Sequence, residues 1–461
     1  MAVREALLPK LYHAAVEDWR DTFLPDYGFL LENWQKYFPK EPGFKLCAYR
    51  ELGVCGEIEC GAKQGQPKAT KPSELDDDQA KHLLGAIRAQ ASTEFGSIQQ
   101  HRLTLARAQN EEDQMWVLRM MAEELRHGYQ MLHLLVDDDW SCQTKQSRAD
   151  MVEEILSMQT GSHVLGAFNI DFDSFVDNVV FCCLIDRVGK YQLSMQRISA
   201  YQPMAESMPQ MLREEAFHLA TGVVPLRRWV EQAAHGDVFV TMGMLQKALN
   251  KWLPRGLEMF GDERGGGSNV RMGLKPMKNA EAQQQYLDEV QKVVLDLNVR
   301  FVRAHANGLS IGEARAAVER LLEHGGTEHG VDADDLLRLP NAGFFRRRGV
   351  PAFSRVGVDG ETYEDVDAYL RHLSGQLPES YLAGRDFLDY VATLRRVEAG
   401  ELTADEGARQ MPELRRVAGS CPCSRAVRWV RDEPVSVADS SAADHPMTVD
   451  AETSEPVPVP A

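Results

Sequence analysis

The chain has 461 residues with 69 acidic against 51 basic side chains, a formal net charge of -18, which excludes broad binding to a phosphate backbone but leaves room for a local basic pocket. No run of about 20 apolar residues occurs, so no membrane span is predicted, and the N-terminal stretch MAVREALLPKLYHAAVEDW lacks the apolar core of a signal peptide. The eight cysteines are scattered rather than paired in a framework, so a cytoplasmic, reducing location is expected, with neither nucleic acid nor membrane as partner.

Residues 1–72 read as an N-terminal extension of short helices and loops, in which Cys47, Cys55 and Cys60 fit no standard zinc spacing. Ser73 offers a helix cap, with Asp76 in the first turn. Four long helices are predicted at about 74–108, 111–136, 172–200 and 204–234, because apolar residues recur there at intervals of three and four. In the second, Val117, Met120, Met121, Glu124, Met131 and Leu132 share a face. Cys182 and Cys183 sit in an apolar run of the third, as core thiols do. A flexible break is expected at DERGGGSNV (262–270), then helices at about 280–306 and 311–325. A hairpin is expected around Asp359-Gly360, and helix again at 363–399. The acidic, Pro- and Ser-rich residues 426–461 read as a disordered tail. The predicted organisation is a mainly α chain: the extension, a bundle at 73–260, a mostly helical region at 261–425, and the tail.

The chemistry concentrates in the bundle. Glu124–His127 and Glu215–His218 are two Glu-x-x-His pairs, and residues three apart on a helix present their side chains to one ion. One such pair is weak evidence. Here Glu94 precedes Glu124 by 30 residues and Asp186 precedes Glu215 by 29, each gap being one antiparallel helical hairpin. Four helices repeating acid, then Glu-x-x-His, place four carboxylates and two imidazoles in a bundle core, and two metal ions are needed to neutralise them. The acids stand on apolar faces: Met120 and Met121 precede Glu124, Met211 and Leu212 precede Glu215, and Val179, Cys182 and Cys183 precede Asp186. Glu123 and Glu214 lie one residue off and should point differently. Carboxylate-rich sites with two imidazoles suit iron or manganese, and iron can supply the two-electron change that dioxygen requires.

At these residues the chain resembles the ferritin-like di-iron oxygenases typified by the oxygenase component of benzoyl-CoA 2,3-epoxidase, with phenylacetyl-CoA epoxidases as relatives. The likeness runs in order through AQASTEFGSIQQHR, MMAEELRHGYQMLHLL, AFN, LIDRVGKYQLS, MLREEAFHLATG and LPNAGFFRRRG. Phe217 departs from it, standing where that family usually carries a second His. The resemblance implies a ferritin-like four-helix bundle and iron ligands Glu94, Glu124, His127, Asp186, Glu215 and His218. It places Gln90, one turn before Glu94, in or beside the site. It implies an acyl-CoA thioester substrate, dioxygen, and electrons from an NADPH-dependent reductase component, with the oxygenase a monomer or homodimer. Arg346, Arg347 and Arg348, or Arg227 and Arg228, are candidates for the coenzyme A phosphates. The competing readings are N-oxygenation or hydroxylation on the same bundle, and a non-enzymatic iron-binding protein.

Overall fold

Asp76, rather than Ser73, opens the first long helix. Its Oδ1 accepts from the Gln79 N–H at 2.8 Å, and Gln79 Oε1 accepts from the Asp76 N–H in return. Ser73 is instead held in a 3₁₀ turn behind Pro72, a residue whose fixed φ suits the start of a turn. In the computed structural model the described residues are 2–6, 48–340 except 103, 159–162, 171, 173, 237–239 and 262–266, and 393, 396–397 and 399–410. Arg346, Arg347, Arg348, the Asp359-Gly360 hairpin, most of 363–399 and the tail lie outside them.

The four predicted helices form as α1 (Asp77–Arg102), α2 (Glu111–Val136), α4 (Phe175–Gln196) and α5 (Gln202–Ala234), with α3 (Arg148–Ser157) between the two hairpins. Each start is chemically marked. Asn110 accepts from the Asp113 N–H at 2.9 Å to cap α2. Asp177 accepts from the Ser174 N–H at 3.1 Å to begin α4, and Pro203 occupies the first turn of α5. α1 packs along α2 and α4 along α5, and α2 and α5 bring the hairpins together. The close approach of α4 and α5 needs Gly222, where a Cβ would collide with the backbone of Cys182 and Cys183. Both cysteines are buried free thiols.

Around this bundle lie α6 (Met242–Met259), the four-residue α7 (Ser268–Arg271), α8 (Asn279–His305) and α9 (Ile311–His324), then a short antiparallel pair, Thr327–Glu328 with Val331–Asp332, and the last described helix, α10 (Ala404–Gln410). α8 lies along α5 and α6 along α4. No helix is predicted at α6, whose sequence carries Gly243, Pro254 and Gly256; it is held by burial of Leu245, Leu249, Trp252 and Leu253. The N-terminal extension also differs from expectation. Strands β1 (Ala2–Ala6) and β2 (Ala48–Leu52) pair antiparallel. β2 packs on α5, where Arg213 meets Glu51 at 2.9 Å, and the Tyr49 N–H donates to Gln130 Oε1 at 2.5 Å. That strand depends on tertiary partners, so no local alternation announces it. Among the described residues no helix is long and apolar enough to cross a membrane.

Candidate metal centre

α1 supplies Glu94, α2 supplies Glu124 and His127, α4 supplies Asp186, and α5 supplies Glu215 and His218; all six are buried, none more than 6% exposed. The helical step of three aligns each Glu with its own His: His127 Nδ1 is 3.9 Å from Glu124, and His218 Nδ1 is 3.4 Å from Glu215. Across the bundle, His218 Nδ1 lies 3.2 Å from Glu124, and His127 Nδ1 lies 3.7 Å from Glu94. Ligand atoms of Glu124, His127, Glu215 and His218 all fall within 4.8 Å of one another. Asp186 lines the same cavity as Glu94, Glu124 and Glu215. Gly189, one turn after Asp186, makes room for Glu215, since a Cβ there would stand 2.9 Å from its Oε1.

The donor set fits metal ions. His127 Nδ1, His218 Nδ1 and Asp186 Oδ2 are buried without a hydrogen-bond partner, and such atoms are costly unless something coordinates them. The carboxylates also repel one another. Burial and then the Glu94 charge push Glu124 well above the carboxylate range. Glu94 is held low despite burial, by Glu124 and His127 close beside it and by the amide of Gln90, which donates to its Oε1. Burial, then the Glu215 charge, raises Asp186 to about 8. Burial alone would lower His127, but Glu214 and Glu94 hold it at about 10. Without cations this core keeps protons that metal ions would displace.

The outward nitrogens reveal a feature the sequence only half disclosed. Glu123 and Glu214 do point away from the ligand face, but they stay buried. His127 Nε2 faces Glu214 Oε2 at 2.9 Å, and His218 Nε2 faces Glu123 Oε2 at 3.1 Å. The first acid of each Glu-Glu-x-x-His segment thus serves the imidazole of the other. A carboxylate at Nε2 fixes the tautomer, so that Nδ1 presents a lone pair inward. Arg126 ion-pairs with Glu214 and lies 3.8 Å from Glu123, while Arg119 meets Glu123 at 3.1 Å. Against burial that would raise it, the bond to His127, the Arg126 charge and the Gln210 amide hold Glu214 at about 2. Phe217 faces away from the ligands, packing on Trp116 and beneath the Arg119 guanidinium. The repeated Glu-Glu doublet was the sequence signal for this arrangement.

A cavity of about 650 Å³ opens beside the carboxylates. Gln90 and Thr93 line it next to Glu94, and Phe168, Phe181, Ile185 and Leu193 form apolar wall. Arg227 and Arg228, considered above for phosphate binding, do not line it. Arg227 pairs with Asp296 at 2.9 Å and Arg228 with the buried Asp113, so both act in helix packing.

Comparison with known proteins agrees with this geometry. The chain is 24% identical to benzoyl-CoA oxygenase component B of Aromatoleum evansii over an alignment of 349 residues, covering 67% of this chain and 72% of the relative. The family described as Phenylacetic acid catabolic protein matches residues 68–310, the span that contains all six inward-facing metal-ligand candidates and both outer glutamates; the chain belongs to that family.

Proposed function

We propose that this protein is the oxygenase component of a multicomponent system that epoxidises an aromatic acyl-CoA thioester at a di-iron centre. One observation carries the reading: four buried carboxylates line a cavity with an aromatic wall, and two buried imidazoles stand against them. Glu94, Glu124, Asp186 and Glu215 would hold two iron ions between them, with His127 and His218 each binding one. Bound there, iron would supply the redox chemistry for activating dioxygen, and with two electrons and two protons delivered from outside one oxygen atom would enter the substrate and the other leave as water.

The chain's own contribution is placement and exclusion of water. Phe168, Phe181, Ile185 and Leu193 offer a ring an apolar berth beside the carboxylates. Gln90 holds Glu94 from the cavity side through its amide donor, which makes it a positioning residue. Glu123 and Glu214 keep both imidazoles in the ligating tautomer. Electrons would come from a separate reductase component; the designation "component B" marks the relative as one part of a multicomponent system.

The test is iron analysis followed by oxygen consumption with a chemical reductant against a panel of acyl-CoA esters and arylamines. Two irons per chain and aryl-CoA-dependent uptake are expected, and both are lost in Glu124→Ala and Glu215→Ala. Full iron content and activity in both variants, or turnover of arylamines alone, would overturn the reading.

A further inference from the structure

The cavity is long as well as deep. α1 lines it from Glu94 back to His82, and α4 lines it from Asp186 on to Gln196. At 1.5 Å per residue these stretches span roughly 18 Å and 15 Å. Both lead away from the carboxylates to the place where α1 begins and α4 ends. The segment joining α7 to α8 borders that end: Gln79 Nε2 donates to Met272 O at 2.7 Å, and the Ala200 N–H donates to Gly273 O at 2.8 Å. Here the lining changes character. Gln196, Ser199, Asn269, Lys275 and Asn279 line it here, beside Leu274.

Lys275 is the single Lys or Arg among the described residues that line the cavity. It is only 8% exposed, and its Nζ donates to Asn279 Oδ1. The other charged groups in the lining are acids. Four are at the floor, and Glu258 is tied to Arg255 at 2.8 Å. A cavity with an apolar, carboxylate-floored end and a cationic, amide-rich end about 15–18 Å apart suits an amphiphile: a small ring, an extended arm and an anionic head.

We propose that Lys275, with Asn269 and Asn279, receives the phosphate-bearing head of the acyl thioester, so that this end of the cavity selects coenzyme A esters over shorter aryl compounds. This rests on the proposed function above and moves the phosphate contact from the arginines considered in the sequence to the α7–α8 junction. A free aryl acid would fill only the floor and leave the arm and head positions to water.

The experiment is equilibrium binding of benzoyl-CoA and of benzoyl-pantetheine, which lacks the phosphates, to the full chain as purified, without reductant. Wild type should bind the CoA ester at least about 10-fold more tightly, the scale of a charged hydrogen bond. Lys275→Met should remove most of that preference, weakening the CoA ester about 10-fold or more while leaving the pantetheine ester within about 2-fold; Lys275→Arg should restore part of it. Thermal unfolding checks each variant's fold, and Asn279→Asp, which sets a negative charge beside Lys275, should give the same selective loss if Lys275→Met does not fold. If wild type prefers the CoA ester and the variants keep that preference, or lose both esters equally, the assignment of Lys275 is wrong and the oxygenase reading stands. If wild type binds neither ester, the substrate class itself is wrong.

Discussion

Replacing Glu214 with Gln tests the outer carboxylates without touching a candidate ligand. The substitution keeps the side chain's shape and removes its charge. Glu214 accepts from His127 Nε2 at 2.9 Å and from Gln210 at 2.6 Å, and it ion-pairs with Arg126. With Gln in its place, the His127 ring loses the charge that fixes its proton on Nε2, and Arg126 loses its short ion pair. Outer carboxylates of this kind are worth 10–100-fold in metal affinity, or about 1.4–2.7 kcal/mol. Glu123→Gln should cost a similar amount through His218. Because Arg126 lies between the two acids, the double variant should fall short of the product of the singles. Anaerobic Fe(II) titration against a competing chelator measures this directly, with Glu112→Gln on the exposed face of α2 as control. A folded Glu214→Gln protein with wild-type iron affinity would refute the claim that this acid orients His127.

Gly189→Ala should lower iron occupancy, because its Cβ would crowd Glu215 Oε1; metal analysis of the folded variant checks this, and undiminished loading would show that Glu215 can simply shift. Arg228→Ala should cost about 1–3 kcal/mol in chemical denaturation, since it strands the buried Asp113, yet leave benzoyl-CoA affinity unchanged. The pH dependence of the iron-stripped protein has a definite sign. Asp186, raised to about 8, stays protonated in the fold while the unfolded chain ionises, so its contribution to stability declines from near pH 4 up to 8. His127, raised to about 10, stabilises the fold below its ordinary value of 6.5 and loses that contribution as pH climbs toward 10. Both decline between pH 6.5 and 8, so the unfolding temperature of the stripped protein should fall across that window. The iron-loaded protein should be flat there, and a rising curve for the stripped protein would contradict the assignment.

The bundle was legible because its helices are long, periodic and capped, and because the acids with their 30- and 29-residue gaps interrupt apolar faces at matched levels. Two hairpins could then be laid side by side without seeing either. What escaped the sequence depends on contacts between distant segments. β2 has no alternating pattern of its own, and α6 carries Gly and Pro within its helix. The burial of Glu123 and Glu214 requires knowing that α2 and α5 face each other. Arg227 and Arg228 looked available because their acidic partners, Asp296 and Asp113, lie 69 and 115 residues away. Lys275 was overlooked for the opposite reason: a single lysine in a loop has no pattern, and only the packing of 272–275 against the ends of α1 and α4 brings it to the cavity lining.

The crossed pairing of Glu123 with His218 and Glu214 with His127 means that neither hairpin is self-sufficient. Each half carries its own inward acids but borrows from the other the group that aims its imidazole. A chain severed between Val136 and Phe175 would therefore yield two fragments that cannot each build a competent one-metal centre, and iron capture should return only when the halves reassociate. Assembly of the tertiary structure and readiness for metal are, in this protein, a single event.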